Sequence, residues 1–183
     1  MEKPVIATAS LAGCFGCHMS LLDIDERILD LIELVDFNKS PINDIKEFTR
    51  ECDIGLIEGG CCVDENVHVL KDFRNHCRIL VSVGECAIMG GLPAMRNGIS
   101  VRECLEEAYL NGPSVRNYNE SMILPNDEEL PVLLNRVYPC HEVVKIDYFL
   151  PGCPPDADLI WRALTALLNN KKMDLPYEVF KFD

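Results

Sequence analysis

Cys14 and Cys17 flank a Phe-Gly pair in LAGCFGCHMS (11–20), a few residues after the apolar run PVIATAS (4–10). Two thiols at this spacing suit a soft metal or a redox pair, because the thiolate is both the metal ligand and the nucleophile. They supply two ligands at most. A zinc ribbon would carry a second close pair, and none is present. Single cysteines recur in related settings instead. Cys86 closes RILVSVGEC (78–86), and Cys153 sits in LPGCPP; each follows an apolar run and a glycine.

The segments around these thiols alternate between strand-like and helix-like. PVIATAS reads as a first strand. The spacing predicts a helix from Ser20 onward, with Ser20 and Asp23 as a capping pair and Leu21, Ile24, Ile28 and Leu31 at the helical period. A short strand, LVDF, follows. Residues 41–50 read as helical, with Pro41 near the start. DIGLIEGG (53–60) is a strand, 64–76 a helix, 78–86 a strand closed by glycine, and KIDYFLPGCPP (145–155) the last strand and turn. A final helix covers about 155–168, with Asp156 and Asp158 in its first turn.

Strands alternating with helices imply right-handed crossovers and a parallel sheet, and near-continuous apolar runs suit strands covered on both faces. About five strands fit a flavodoxin-like, three-layer α/β fold. The chain reads as one flavodoxin-like domain over 1–183. A loop-rich insertion at about 90–143 lies between the last two strands, with short helices near 100–110 and 127–134.

In such a sheet the turns after the first, fourth and fifth strands lie at the carboxyl edge, where these folds place ligands. Cys14, Cys17, Cys86 and Cys153 can therefore converge. Four thiolates suit an iron–sulfur cluster or a tetrahedral zinc ion, and scattered ligands fit a cluster better. Cys52, Cys77 and Cys104, on or beside expected helices, read as small buried apolar residues. Cys61 and Cys62 follow the third strand at the same edge, and a ligand role for either stays open. Cys140-His141 reads as structural. His18, next to Cys17, reads as a hydrogen-bond partner. Glu58 ends an apolar strand, where a carboxylate is costly unless paired; proton handling and capping of backbone N–H groups are both open to it.

The 183 residues include ten cysteines and carry a formal net charge of -13. That balance argues against nucleic acid and anionic membranes, since phosphate binding needs Lys and Arg. No run approaches a membrane span, and no secretory signal is visible in MEKPVIATAS, so the cytoplasm is expected. In a reducing compartment these thiols are core residues, metal ligands or redox groups.

Taken together, C-F-G-C, E-G-G, G-E-C-A-I-M-G-G and P-G-C-P-P after successive strands resemble the small subunit of [NiFe] hydrogenases. LAGCFGCHMSLLDIDERI and PCHEVVKIDYFLPGCPPDADLIW are most similar to the soluble, cytoplasmic NAD-reducing group. The resemblance covers nearly the whole chain. It implies a flavodoxin-like fold and one [4Fe-4S] cluster on Cys14, Cys17, Cys86 and Cys153. It also implies a role for Glu58 near the large-subunit interface. The nickel–iron centre would sit in the partner large subunit, and a diaphorase module with flavin and further clusters would take the electrons on to NAD. No catalysis is expected from this chain alone. FMN in this chain is not favoured, because the cysteine pair occupies the first loop. Two rivals share the core motifs. One is the small subunit of an F420- or disulfide-reductase-linked hydrogenase. The other is the complex I cluster subunit, whose adjacent cysteines stand where this chain has Cys14-Phe15-Gly16-Cys17. A zinc-binding interaction module is the remaining rival.

Overall fold

The structure, a computed structural model, describes residues 2–116, 123–173 and 175. In chain order the strands are β1 (Val5–Ser10), β2 (Asp36–Phe37), β3 (Cys52–Glu58), β4 (Cys61–Val63), β5 (Cys77–Val83), β6 (Leu133–Tyr138) and β7 (Tyr148–Leu150). The α-helices are α1 (Gly16–Leu22), α2 (Arg27–Leu34), α3 (Asp64–His76), α4 (Glu85–Met89), α5 (Val101–Glu106) and α6 (Ala157–Leu168). Five strands form one sheet in the order β2-β1-β3-β5-β7, and every pairing is parallel. With β4 and β6 set aside, this is the doubly wound order of flavodoxin.

Side chains of successive strand residues leave the sheet on opposite faces. Ile6, Leu56, Val81 and Val83 pack with Leu21, Ile24 and Leu31 from the α1–α2 segment and with Leu159, Ile160 and Leu164 of α6. Val5, Ala7, Ala9 and Leu80 pack with Leu70 and Phe73 of α3 and Ala87 of α4. The three expected layers are therefore present. Among the described residues no helix is long and apolar enough to cross a membrane.

Several local expectations are corrected. The first helix starts at Gly16 rather than after Ser20, and it is broken after Leu22. Asp25 takes a left-handed φ of 55°, which a helix interior does not accommodate. Ser20 is not a cap; its Oγ donates to the Pro155 carbonyl and ties α1 to the last cysteine loop. Residues 41–50 form turns, not a helix. There Ser40 Oγ accepts from Ile42 N and Asn43 Oδ1 accepts from Ile45 N, so side chains take the N–H groups a helix would need.

The stretch 127–134 is likewise not helical; it leads into β6, which pairs antiparallel with β4 in a second, two-stranded sheet. Pro131 disfavours the helical region for the residue before it. Asp64, at the start of α3, holds Val132 extended by bonding its N–H and its carbonyl. The last helix begins at Ala157, capped by Asp156, whose carboxylate accepts from Leu159 N. Cys52 and Cys77 lie at strand starts, as register partners on β3 and β5, and both are buried.

Phe73 is fully buried against the β1–β3–β5 face and meets Phe48 edge-on at 4.9 Å. Phe73→Ala should destabilise the protein by about 3–5 kcal/mol. A lowered urea midpoint with unchanged slope checks this.

Candidate iron–sulfur site

The carboxyl ends of β1, β3, β5 and β7 meet at one rim, and their turns are braced to one another by backbone bonds. Leu11 N donates to Glu58 O at 2.8 Å, and Ala12 and Gly60 exchange N–H···O bonds at 3.0 and 2.9 Å. Across the rim, Gly84 N donates to Leu150 O at 2.8 Å, and Glu85 N donates to Gly152 O at 3.1 Å. Gly152 N returns a bond to Glu85 Oε1 at 3.0 Å.

These braces shape a cleft of about 360 Å³, its open mouth included. Cys14, Cys17, Cys86 and Cys153 all line it, with Gly13, Gly59 and Gly152 supplying bare backbone and Glu58 part of the wall. Cys14 and Cys153 are exposed, whereas Cys17 and Cys86 are half-buried. Gly84, at φ +82°, lies so close to Cys17 that a Cβ there would overlap its Sγ. Gly59, at φ +83°, would bring a Cβ to 2.7–3.0 Å from the backbone of Leu11 and Ala12. Both positions need glycine for conformation and for space.

Burial pushes the Cys17 thiol well above its ordinary pKa, helped by the Glu58 carboxylate and by Cys86 and Cys14. Burial raises Cys86 as well, with Cys153 and Cys14 adding to the effect against a bond from the Leu92 backbone. Without cations these two thiols hold their protons. Metal binding would release them. Among the described residues no three Cys, His, Asp or Glu side chains gather tightly enough to hold one metal ion. The thiols surround a space rather than a point. That space, bare of Cβ atoms on several sides, fits a bulky metal–sulfide group.

Glu58 is the polar centre behind the cleft. Its carboxylate accepts from Ser10 Oγ at 2.7 Å and from His18 N at 3.1 Å, and lies 3.1 Å from His18 Nδ1. Burial acts to raise the Glu58 pKa; the bonds from His18 and Ser10 outweigh it and hold the carboxyl below its ordinary value. The His18 ring continues through Nε2 to Thr8 Oγ1 at 2.9 Å, and Thr8 to Ser40 Oγ at 2.7 Å. Phe15 stacks on His18 at 4.6 Å. His18 is thus the hydrogen-bond partner its position suggested. Thr8, Ser10 and Ser40 escaped the sequence reading; the signal was two hydroxyls inside the otherwise apolar VIATAS strand.

The other cysteines lie away from the cleft. Cys61 and Cys140 are fully buried free thiols, and Cys140 Sγ donates to Gly59 O at 3.4 Å. Cys62 Sγ accepts from Arg96 at 3.6 Å. Cys104 is half-buried on α5, and His141 meets Phe149 edge-on at 5.9 Å.

Residues 14–167 match the family of the NADH ubiquinone oxidoreductase 20 Kd subunit. Over 99% of its length the chain is 46% identical to the NAD-reducing hydrogenase HoxS subunit delta of Cupriavidus necator, and it covers 86% of that protein. The chain is a member of this family, on its hydrogenase small-subunit branch. A crystal structure of an NAD+-reducing [NiFe]-hydrogenase in the H2-reduced state contains a chain 52% identical, with a TM-score of 0.94 and 100% coverage both ways. One chain of the F420-non-reducing hydrogenase of Methanothermobacter thermautotrophicus is 40% identical over 96% of this chain, which spans only 56% of it. A [NiFeSe]-hydrogenase from Dm. baculatum, 16% identical with a TM-score of 0.58 over 96% of this chain and 67% of its own, shares the fold.

Gly84→Ala should displace the Cys17 side chain and lower iron content by about half or more, given the strain of a positive φ on top of the overlap. Gly98→Ala, with no atom within 4 Å of the added carbon, should leave it intact. Iron per purified chain is the measurement.

Proposed function

We propose that this chain is the electron-transfer subunit of a NAD-reducing [NiFe] hydrogenase and holds one [4Fe-4S] cluster on Cys14, Cys17, Cys86 and Cys153. The observation that carries the reading is the cleft at the strand ends, where these four thiols meet over bare glycine backbone. The full-length match to a chain of an NAD+-reducing enzyme supports the choice of acceptor. Identity to the F420-non-reducing relatives, 40% and 39%, is lower than the 46% and 52% to the NAD-reducing chains, which favours the NAD-reducing reading.

When bound, such a cluster takes up and releases single electrons at a potential set by its surroundings. The residues here supply those surroundings. Cys17 and Cys86 would hold the cluster from the half-buried side, and Cys14 and Cys153 at the mouth, where they are exposed. Glu58 and His18 fix the start of α1, and with it Cys17. Ser20 ties that helix to the Cys153 loop. The work of splitting hydrogen falls to a large subunit with the nickel–iron centre, and a diaphorase module passes electrons to NAD⁺. The net reaction is hydrogen plus NAD⁺ giving NADH and a proton. The whole chain serves as one iron–sulfur unit, with 90–143 as its insertion. FMN is not assigned to it, since the cysteine loop fills the place a flavin phosphate would need.

Cys153→Ser should abolish the cluster's visible absorption and EPR signal, whereas Cys104→Ser should leave both; equal iron and sulfide in the two variants would refute the ligand set, and zinc in place of iron would refute the cluster. The chain purified alone, with its cluster intact, should show no hydrogen uptake with an artificial acceptor. Activity without a second subunit would overturn the division of labour.

A further inference from the structure

An electron relay needs two partners within reach of its cluster, and this inference rests on that reading. Among the described residues, two sets of exposed apolar side chains lie close in sequence to cleft cysteines, on opposite sides of the main sheet. The first begins three residues after Cys86, with Met89, Leu92 and Met95; Leu92 and Met95 are each 75% exposed. No carboxylate occurs between Ile88 and Ile99, and Arg96 is occupied by the carbonyls of Cys62 and Leu134. α4 packs on the α3 side of the sheet.

The second patch begins two residues after Cys17, with Met19, Leu22, Leu29 and Ile32; Leu29 is 63% exposed. It lies on the α6 side. Asp23, Asp25, Glu26, Asp30 and Glu33 surround it, all exposed. The nearby cations are engaged. Arg27 pairs with Asp158 at 2.8 Å and lies over Trp161, and Lys3 Nζ bonds the Ile32 carbonyl at 2.9 Å.

We propose that the α1–α2 face is the docking surface for the electron-accepting subunit, a protein surface with an apolar centre and a basic rim. Complementary charge guides association and register, so five uncompensated carboxylates select a basic partner. An apolar methionine-rich patch without carboxylates has the character of a permanent interface, which suits the hydrogen-splitting subunit on the Cys86 side. Electrons would then enter beside α4 and leave beside α1, crossing the rim of the sheet through the cluster between them.

The test uses the complete complex carrying Asp30→Lys together with Glu33→Lys. Hydrogen-driven reduction of benzyl viologen, which needs no accepting subunit, should stay within about twofold of wild type. Hydrogen-driven NAD⁺ reduction should fall about tenfold or more, with the accepting subunit lost on size exclusion. Leu29→Lys should act the same way, and unchanged cluster absorbance shows that both variants are folded. Raising salt from about 0.01 M to about 1 M, which shortens the screening length from about 30 Å to about 3 Å, should weaken NAD⁺ reduction in wild type more than viologen reduction. Full NAD⁺ reduction and assembly in the charge-reversed complex would overturn the assignment. So would loss of the large subunit or of a second copy of this chain, since the face would then belong to that partner. A wild-type complex unable to reduce viologen with hydrogen would instead sink the electron-transfer reading itself.

Discussion

Parallel pairing of β1, β3, β5 and β7 brings four strand ends to one rim, and the site depends on that alignment. Cys14 and Cys153 stand near opposite ends of the chain. Pairings such as Ala9 with Ile57, Ile57 with Ser82, and Ser82 with Phe149 set the strands side by side. Because each crossover returns the chain to the same end of the sheet, every turn carrying a cysteine emerges on the same side. The turns then brace one another, Leu11 to Glu58 and Gly84 to Leu150. Little of the positioning depends on the cysteine side chains themselves.

A buried carboxylate is the main polar cost of this arrangement. Glu58 is 3% exposed, and an ionised group in that position is tolerated only when its lone pairs are satisfied. Ser10, from the end of β1, and His18, from the start of α1, meet that need. The same bonds therefore fix the two elements that flank the Cys14–Cys17 loop. His18 is held in turn by Thr8, and Thr8 by Ser40, so the network reaches from the cleft into the sheet's edge beyond β1. Removing any member would leave buried polar atoms unpaired, which costs more than the bond contributes.

The parts of this design legible in the sequence are those written locally. An apolar run, then glycine, then cysteine marks a strand end and a thiol at it together, which is why Cys86 and Cys153 could be placed at the same cleft as the C-x-x-C. Apolar runs closed by glycine likewise mark β3 and β5, while β2 shows only as the short run LVDF. What escaped has a distant or non-periodic cause. Leu21, Ile24 and Leu31 are all buried on one side, so the apolar period runs unbroken across the Asp25 break and hides it. The β4–β6 ribbon has a three-residue strand containing two cysteines, too short for alternation to show. The partners of His18 are Thr8 on β1 and Glu58 at the end of β3, and no spacing rule links them. Residues 41–50 carry a helix-like start at Pro41, but the side chains of Ser40 and Asn43 compete for their own backbone.

The uneven exposure of the four thiols joins the site to its assembly. Cys17 and Cys86 are sheltered by the chain's own packing, and both thiols are held protonated by burial and crowding in the absence of metal. Positive charge from iron would reverse that preference, so loading the site would also release protons. Cys14 and Cys153 remain open to water in this chain alone. Solvent exposure is one of the levers on a cluster's potential. A partner surface that covered this mouth would therefore shift the potential of a cluster held there.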